Sequence, residues 1–199
     1  TGTKDMGRMG GLWRAMPWTA ALFAFGAAAV SGLPPLNGFV SEWAIYQGLL
    51  RAVGQKGETL AVMPAVIVLA ATGALALAAF AKAVTIVFLG APRTKPAAMA
   101  HECGWTMRAP MLVLAGLMLG IGLFPALALA PIKNAASAWG GHWAVIPAMP
   151  VADLGQLHLI LAGVILAFAA LFLRKVRRQG LRTAPTWDCG YAVPTARMQ

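Results

Sequence analysis

Three side chains in this sequence could exchange a proton inside apolar surroundings: Glu42, Lys82 and His158. Glu42 stands in an otherwise apolar stretch from about Pro17 to Leu50, and Lys82 is the one charge between Leu60 and Leu89. A carboxylate in a membrane segment costs roughly 2.5–3.5 kcal/mol on insertion scales, so an acid kept there points to use. Burial favours the neutral form of acid and lysine alike, whereas mutual attraction favours the charged forms. Groups under two such opposed effects change protonation with small local shifts, which suits a proton relay and not hydrolysis; the alternative is a structural membrane subunit without ion transport, whose charges only hold helices together. His158 could relay protons near neutral pH; its position towards the outer end of a span also fits an interfacial histidine. No catalytic residue for bond-making chemistry is expected.

Just before Glu42, Gly32, Pro34, Pro35, Asn37 and Gly38 fall within seven residues. The prolines remove two backbone donors and the glycines relax the chain. Broken helices of this kind line ion sites in transporters, although a proline kink alone is common in membrane helices. The reading is a discontinuous helix that carries a working acid within a helix bundle. Ser31, Thr72 and Thr85 read as bonded to their own helix backbone, Met107, Met111 and Met118 as packing, and His101 and His142 as solvated loop residues.

The elements that must position these groups are transmembrane helices. Apolar residues make up 59% of the 199 and charged residues only 11%, with mean hydropathy +0.71, against about 25% charged in an average soluble domain. A 30 Å hydrocarbon core takes about 20 apolar residues of helix. Four regions qualify: 17–50 broken at 32–38, 60–89, 111–130 with Pro125 as a kink, and 153–173. The stretch Trp139 to Pro150 reads as an interfacial loop. The expected fold is an all-α, polytopic bundle over 17–178, between a cytoplasmic loop at 1–16 and a cytoplasmic tail at 179–199.

Four spans put Lys4, Arg8, Arg14, Arg93, Lys95, Arg108, Arg174, Lys175, Arg177, Arg178, Arg182 and Arg197 on one side. Only Arg51, Lys56 and Lys133 fall on the other. The positive-inside rule then places both ends of the chain in the cytoplasm. Much of the net charge of +10 is thereby explained as topology. The basic residues lie between apolar blocks and not in a stripe interleaved with aromatics, which argues against nucleic acid. Cys103 and Cys189 lack metal-ligand spacing and read as free thiols. The chain opens Thr-Gly-Thr-Lys-Asp and closes Met198-Gln199, so a fragment of a longer protein is expected.

Depth counting puts Glu42 about 15 Å from the outer end of its span and Lys82 about 12 Å from the inner end of its own. Both fall near the midplane. The short loop Arg51 to Glu58 makes the two spans antiparallel neighbours, and a Glu42–Lys82 pair, direct or through water, is the expectation.

At these residues the sequence resembles a known family. The string Ser31-Gly-Leu-Pro-Pro-Leu-Asn-Gly-Phe-Val-Ser-Glu-Trp43 precedes a helix with Ala81-Lys82-Ala83 and the exit Val87-Phe88-Leu89-Gly90. It is similar to the antiporter-like membrane subunits of respiratory complex I, Mrp-type cation/proton antiporters and group 4 hydrogenases. Pro92-Arg-Thr-Lys, Ala100-His-Glu102, Met107-Arg-Ala-Pro-Met111 and above all the tail Thr186-Trp-Asp-Cys-Gly-Tyr191 resemble the hydrogenase-4 component B and formate hydrogenlyase branch. The resemblance implies two inverted repeats, each with one broken helix, of which this chain holds the second and the helices after it. It implies that Glu42 occupies the position that protonates near the periplasmic exit, with further proton-carrying residues upstream. It also implies a multi-pass protein of a prokaryotic inner membrane. Its partners would be other membrane and peripheral subunits, together with its own upstream part. A partner arm would oxidise formate, NADH or another donor. No cofactor, metal or nucleic acid is expected here, since no dinucleotide-binding glycine pattern, haem motif or cysteine cluster is visible.

Overall fold

The computed structural model describes residues 2–56, 59–140 and 151–180, and the regular elements among them are all helical. After a 3-10 turn at Met6–Arg8 come α1 (Leu12–Ala15), α2 (Pro17–Val30), α3 (Asn37–Lys56) and α4 (Thr59–Phe88). Then follow α5 (Lys95–Ala98), α6 (Trp105–Leu123), α7 (Ala126–Gly140) and α8 (Val151–Gln179). The segments Val62–Phe88, Trp105–Leu123 and Asp153–Gln179 are long and apolar enough to cross a membrane, and Pro17–Val30 is a shorter apolar helix. The chain is thus an all-α membrane bundle.

Local chemistry sets the element ends. Pro17 opens α2 at its first position, where a missing N–H removes no intrahelical bond. Around Pro125 the bundle departs from the expected kink: α6 starts at Trp105, ends at Leu123, and the chain turns into the separate helix α7. Pro125 has no N–H with which to continue α6, and Phe124 closes it by donating to the Gly120 carbonyl. At 15 residues α7 is only about 22 Å long, too short for a 30 Å core. Trp139 belongs to α7, whereas 141–150, the remainder of the expected interfacial loop, and 181–199, nearly all of the expected tail, lie outside the described residues.

α6 is the hub of the packing: it meets α2, α3, α7 and α8, while α4 covers α2 and α3 from the other side. Buried residues on α2 are the small Ala20, Ala27 and Ala29, and small residues let membrane helices approach closely. Large apolar side chains on α4, α6 and α8 remain exposed, as lipid-facing surfaces should. At the end of the bundle where α2 begins, Leu12, Ala20, Phe88 and Ala97 form a small core. There Gly11 donates its N–H to the Leu89 carbonyl at 2.8 Å and Arg93 donates to the Met9 and Ile86 carbonyls. Residues 6–12 are therefore packed against the chain at and after the end of α4.

Candidate functional site

The break between α2 and α3 is a fitted joint. Gly32 has φ +66°, the left-handed conformation that glycine adopts most readily. The Gly32 N–H donates to the Ala29 carbonyl and the Leu33 N–H to the Ala28 carbonyl, the bond pair of a Schellman C-cap. Ser31 adds its hydroxyl to the Ala27 carbonyl at 2.8 Å. Pro34 and Pro35 carry the chain across, and α3 restarts at Asn37. Two glycines allow backbones to touch here: a Cβ on Gly38 would collide with the Ala29 carbonyl oxygen, and one on Gly122 of α6 with the Pro35 carbonyl oxygen.

Glu42 reaches back along α3 to this joint. Its Oε2 lies only 2.6 Å from where a Gly32 Cβ would stand, and both oxygens lie 3.8 Å from the corresponding point on Gly73 of α4. The carboxylate is thus sandwiched between the joint and α4. Gly73 is the twelfth of the 27 residues of Val62–Phe88, so Glu42 is level with the middle of that helix. It lines a cleft of about 270 Å³ with Ala29, Val30, Asn37, Gly38, Ser41 and Met118. At about 30 Å³ per liquid water, several waters fit. The amide end of α3 borders the cleft and carries partial positive charge that favours an anion. Among the described residues no donor is bonded to the Glu42 carboxylate, which leaves its oxygens available to exchange a proton.

Lys82 is not brought to Glu42. It lies nine residues beyond Gly73 on α4, about 13 Å along the axis and half a turn around it, and its side chain is exposed. The expected pair fails because sequence distance fixed the depth of Lys82 but not its direction. Removing both charges tests this: the effects of Glu42→Gln and Lys82→Met on thermal unfolding in detergent are expected to add within about 0.5 kcal/mol, as distant sites do. A coupling above about 1 kcal/mol would restore the pair.

His158 is the eighth residue of α8 and is buried within the bundle. It is 1% exposed, the largest fully buried side chain described. Its Nδ1 donates to the Gly122 carbonyl at 2.6 Å, and its ring meets Phe39 edge-on with centroids 5.4 Å apart. The Gly122 carbonyl lies in the last turn of α6, where carbonyls lack helical partners, so His158 caps that helix. The helical hydroxyls behave as read: Thr72 donates to the Val68 carbonyl and Thr85 to that of Ala81. Cys103 is a free thiol, and Cys189 and His142 lie outside the described residues. Among the described residues no cluster of three or more His, Cys, Asp or Glu could hold a metal ion.

Sequence reasoning missed three participants. Gly122 forms the close contact between α6 and the joint. Asn37, read only as part of the break, has a buried Oδ1 without a partner. Glu102 caps α2 from 84 residues away: its Oε2 accepts from the Trp18 N–H at 2.8 Å and the Thr19 N–H at 3.3 Å, and its Oε1 from the Thr19 hydroxyl and the Cys103 N–H. Burial opposes the Glu102 charge, but the bonds from the Thr19 hydroxyl and the Trp18, Cys103 and Thr19 N–H groups outweigh it and hold the carboxyl at about 2 instead of 4.5. A lowered value means stability that is complete above pH 4.5 and lost as pH falls towards 2. Glu102→Ala is expected to cost about 1 kcal/mol, the usual worth of a cap. In thermal unfolding at pH 7 the variant melts below wild type, and the gap closes as pH drops through that window.

Comparison with known proteins agrees with this architecture. Residues 1–68, which contain the joint and Glu42, match the family described as NADH:quinone oxidoreductase/Mrp antiporter, TM. The chain is similar to hydrogenase-4 component B of Escherichia coli (strain K12), with 38% identity over 95% of this chain and 30% of that protein. It is similar to formate hydrogenlyase subunit 3 of the same organism, with 34% identity over 96% of this chain and 31% of that protein. A Na(+)/H(+) antiporter protein from Alkalihalophilus pseudofirmus is 32% identical over 63% of this chain and 16% of that protein. The chain spans about a third of the length of the hydrogenase relatives. By the match over its broken helix and the near-complete coverage of this chain by the hydrogenase relatives, it belongs to the antiporter-like membrane subunits of the NADH:quinone oxidoreductase/Mrp antiporter family.

Proposed function

We propose that this chain is the part of a proton-translocating subunit that carries one proton site, Glu42, and that it works within a group 4 hydrogenase or complex-I-like oxidoreductase. The observation that carries the reading is an ionisable side chain held in a cleft with room for several waters at a helix break, at mid-height on α4. Glu42 takes a proton from water in the cleft, is neutral while loaded, and is recharged when the proton leaves. The joint at Gly32–Gly38 admits the water and supplies the helix end that steadies the anion. Lys82, on the far face of α4, serves a different neighbour, in the upstream part of the same subunit. The asymmetry of the basic residues supports a prokaryotic inner membrane with both ends of this chain on the cytoplasmic side. Electron transfer belongs to other membrane and peripheral subunits.

The antiporter relative favours a second reading, a Mrp-type protein exchanging a cation for protons. Inverted vesicles distinguish the two: acidification driven by an electron donor supports the oxidoreductase, and acidification that collapses only on adding sodium or potassium supports the antiporter. In either case Glu42→Gln is expected to remove the proton movement while the complex still assembles.

A further inference from the structure

His158 and Asn37 each bury one polar atom with no partner, Nε2 and Oδ1. His158 donates through Nδ1 to the Gly122 carbonyl, and a carbonyl can only accept. In the neutral ring Nε2 therefore bears a lone pair. Both orphan atoms are then acceptors, and neither can satisfy the other. Unpaired buried polar atoms cost about 1–3 kcal/mol each, so each of the two atoms requires a donor: a water, or, at His158, a proton on the imidazole itself.

Two independent links bring His158 to the Glu42 cleft. Its ring lies on Phe39, which is three residues before Glu42 on α3. Its Nδ1 holds Gly122, which is four residues after Met118, a wall of the Glu42 cleft. Residues three or four apart on a helix are surface neighbours, about 5–6 Å between Cβ atoms. Asn37, the residue with the second orphan acceptor, lines the same cleft.

From this arrangement we infer that His158 is the second proton-carrying residue of the Glu42 site, with Asn37 positioning the water between them. The inference rests on the Glu42 reading and extends it by one step. A proton leaves the Glu42 carboxyl through water to His158 Nε2, giving a carboxylate and an imidazolium; the Nδ1–H bond to Gly122 is kept throughout. The groups that face or flank this ring are few. On α3 there are Glu42 and, twelve residues and about 18 Å beyond Phe39, Arg51; on α6 the sole charge is Arg108, fourteen residues and about 21 Å before Gly122. On α7 there is the exposed Lys133 and on α8 the exposed Asp153. None but Glu42 is tied to the cleft.

The test uses the complete protein in its native complex, in inverted vesicles, with proton movement read by an acridine dye. His158→Asn keeps a donor near the Nδ1 position for the Gly122 carbonyl but cannot take up a proton. His158→Phe keeps only the ring's bulk. The expected result is a loss of at least tenfold in both variants, with normal assembly in His158→Asn. Wild-type movement in His158→Asn, with loss confined to His158→Phe, would show a merely structural cap and overturn the inference. Glu42→Gln run alongside separates the two readings: a dead Glu42→Gln with a normal His158→Asn removes His158 alone, and a normal Glu42→Gln removes both.

Discussion

Gly122→Ala is expected to cut the yield of correctly folded protein several-fold, the largest structural effect of any single methyl added to α6. The added Cβ would collide with the Pro35 carbonyl oxygen and stand 2.9 Å from the Leu36 backbone. These are main-chain atoms of a joint already fixed by two prolines and a C-cap, so no flexible side chain can yield. Overpacking of this kind costs about 1–3 kcal/mol or more, a large share of a stability that is about 5–15 kcal/mol in all for an ordinary domain. Displacement of α6 would also pull the Gly122 carbonyl from His158. Gly116→Ala, nearly two turns earlier on the same helix, is the matched control: nothing lies within 4 Å of its added methyl. It should be neutral, or better by the roughly 1 kcal/mol that alanine gains over glycine in a helix. Detergent melting and yield of the two variants check the contrast, and equal behaviour would mean that α6 does not press on the joint.

Glu42→Gln is expected to have the largest functional effect. Glutamine has nearly the same shape and can still hydrogen-bond to water, so the sandwich between Gly32 and Gly73 is retained. What it loses is the exchangeable proton. The other lining residues of the cleft, Ala29, Val30, Asn37, Gly38, Ser41 and Met118, do not ionise near neutral pH, so none can substitute. Proton movement should therefore fall to background and not merely weaken. Glu42→Asp is the graded companion. It keeps the acid but withdraws it by one methylene from Gly32, and is expected to retain part of the movement.

Much of this was legible in the sequence, because some features depend only on neighbours along the chain. The cluster Gly32, Pro34, Pro35, Asn37 and Gly38 has few conformations open to it besides a break, and Glu42 follows within two turns. α4 and α8 are long enough and apolar enough to be read directly. What escaped depends on rotation about helix axes and on contacts remote in sequence. The position of Lys82 can be counted, but its direction becomes clear only once Gly73 is known to face Glu42. His158 shows only that it sits early in its helix; that packing against α6 and Phe39 buries it is not visible along the chain. Gly116, Gly120 and Gly122 are alike as letters, and only the docking of α6 on the joint separates the third. Glu102 reads as a loop carboxylate until the start of α2 is placed beside it. Pro125 marks an interruption, but a kink and a complete turn into α7 look the same from one residue.

Whether Glu42 carries protons is tested most directly by one comparison. Inverted membrane vesicles containing the complete complex, wild type or Glu42→Gln, are energised with the same electron donor, and internal acidification is read by quenching of an acridine dye at equal protein content. A proton site at Glu42 predicts quenching in wild type and background quenching in Glu42→Gln. Acidification at the wild-type rate in Glu42→Gln vesicles would contradict it.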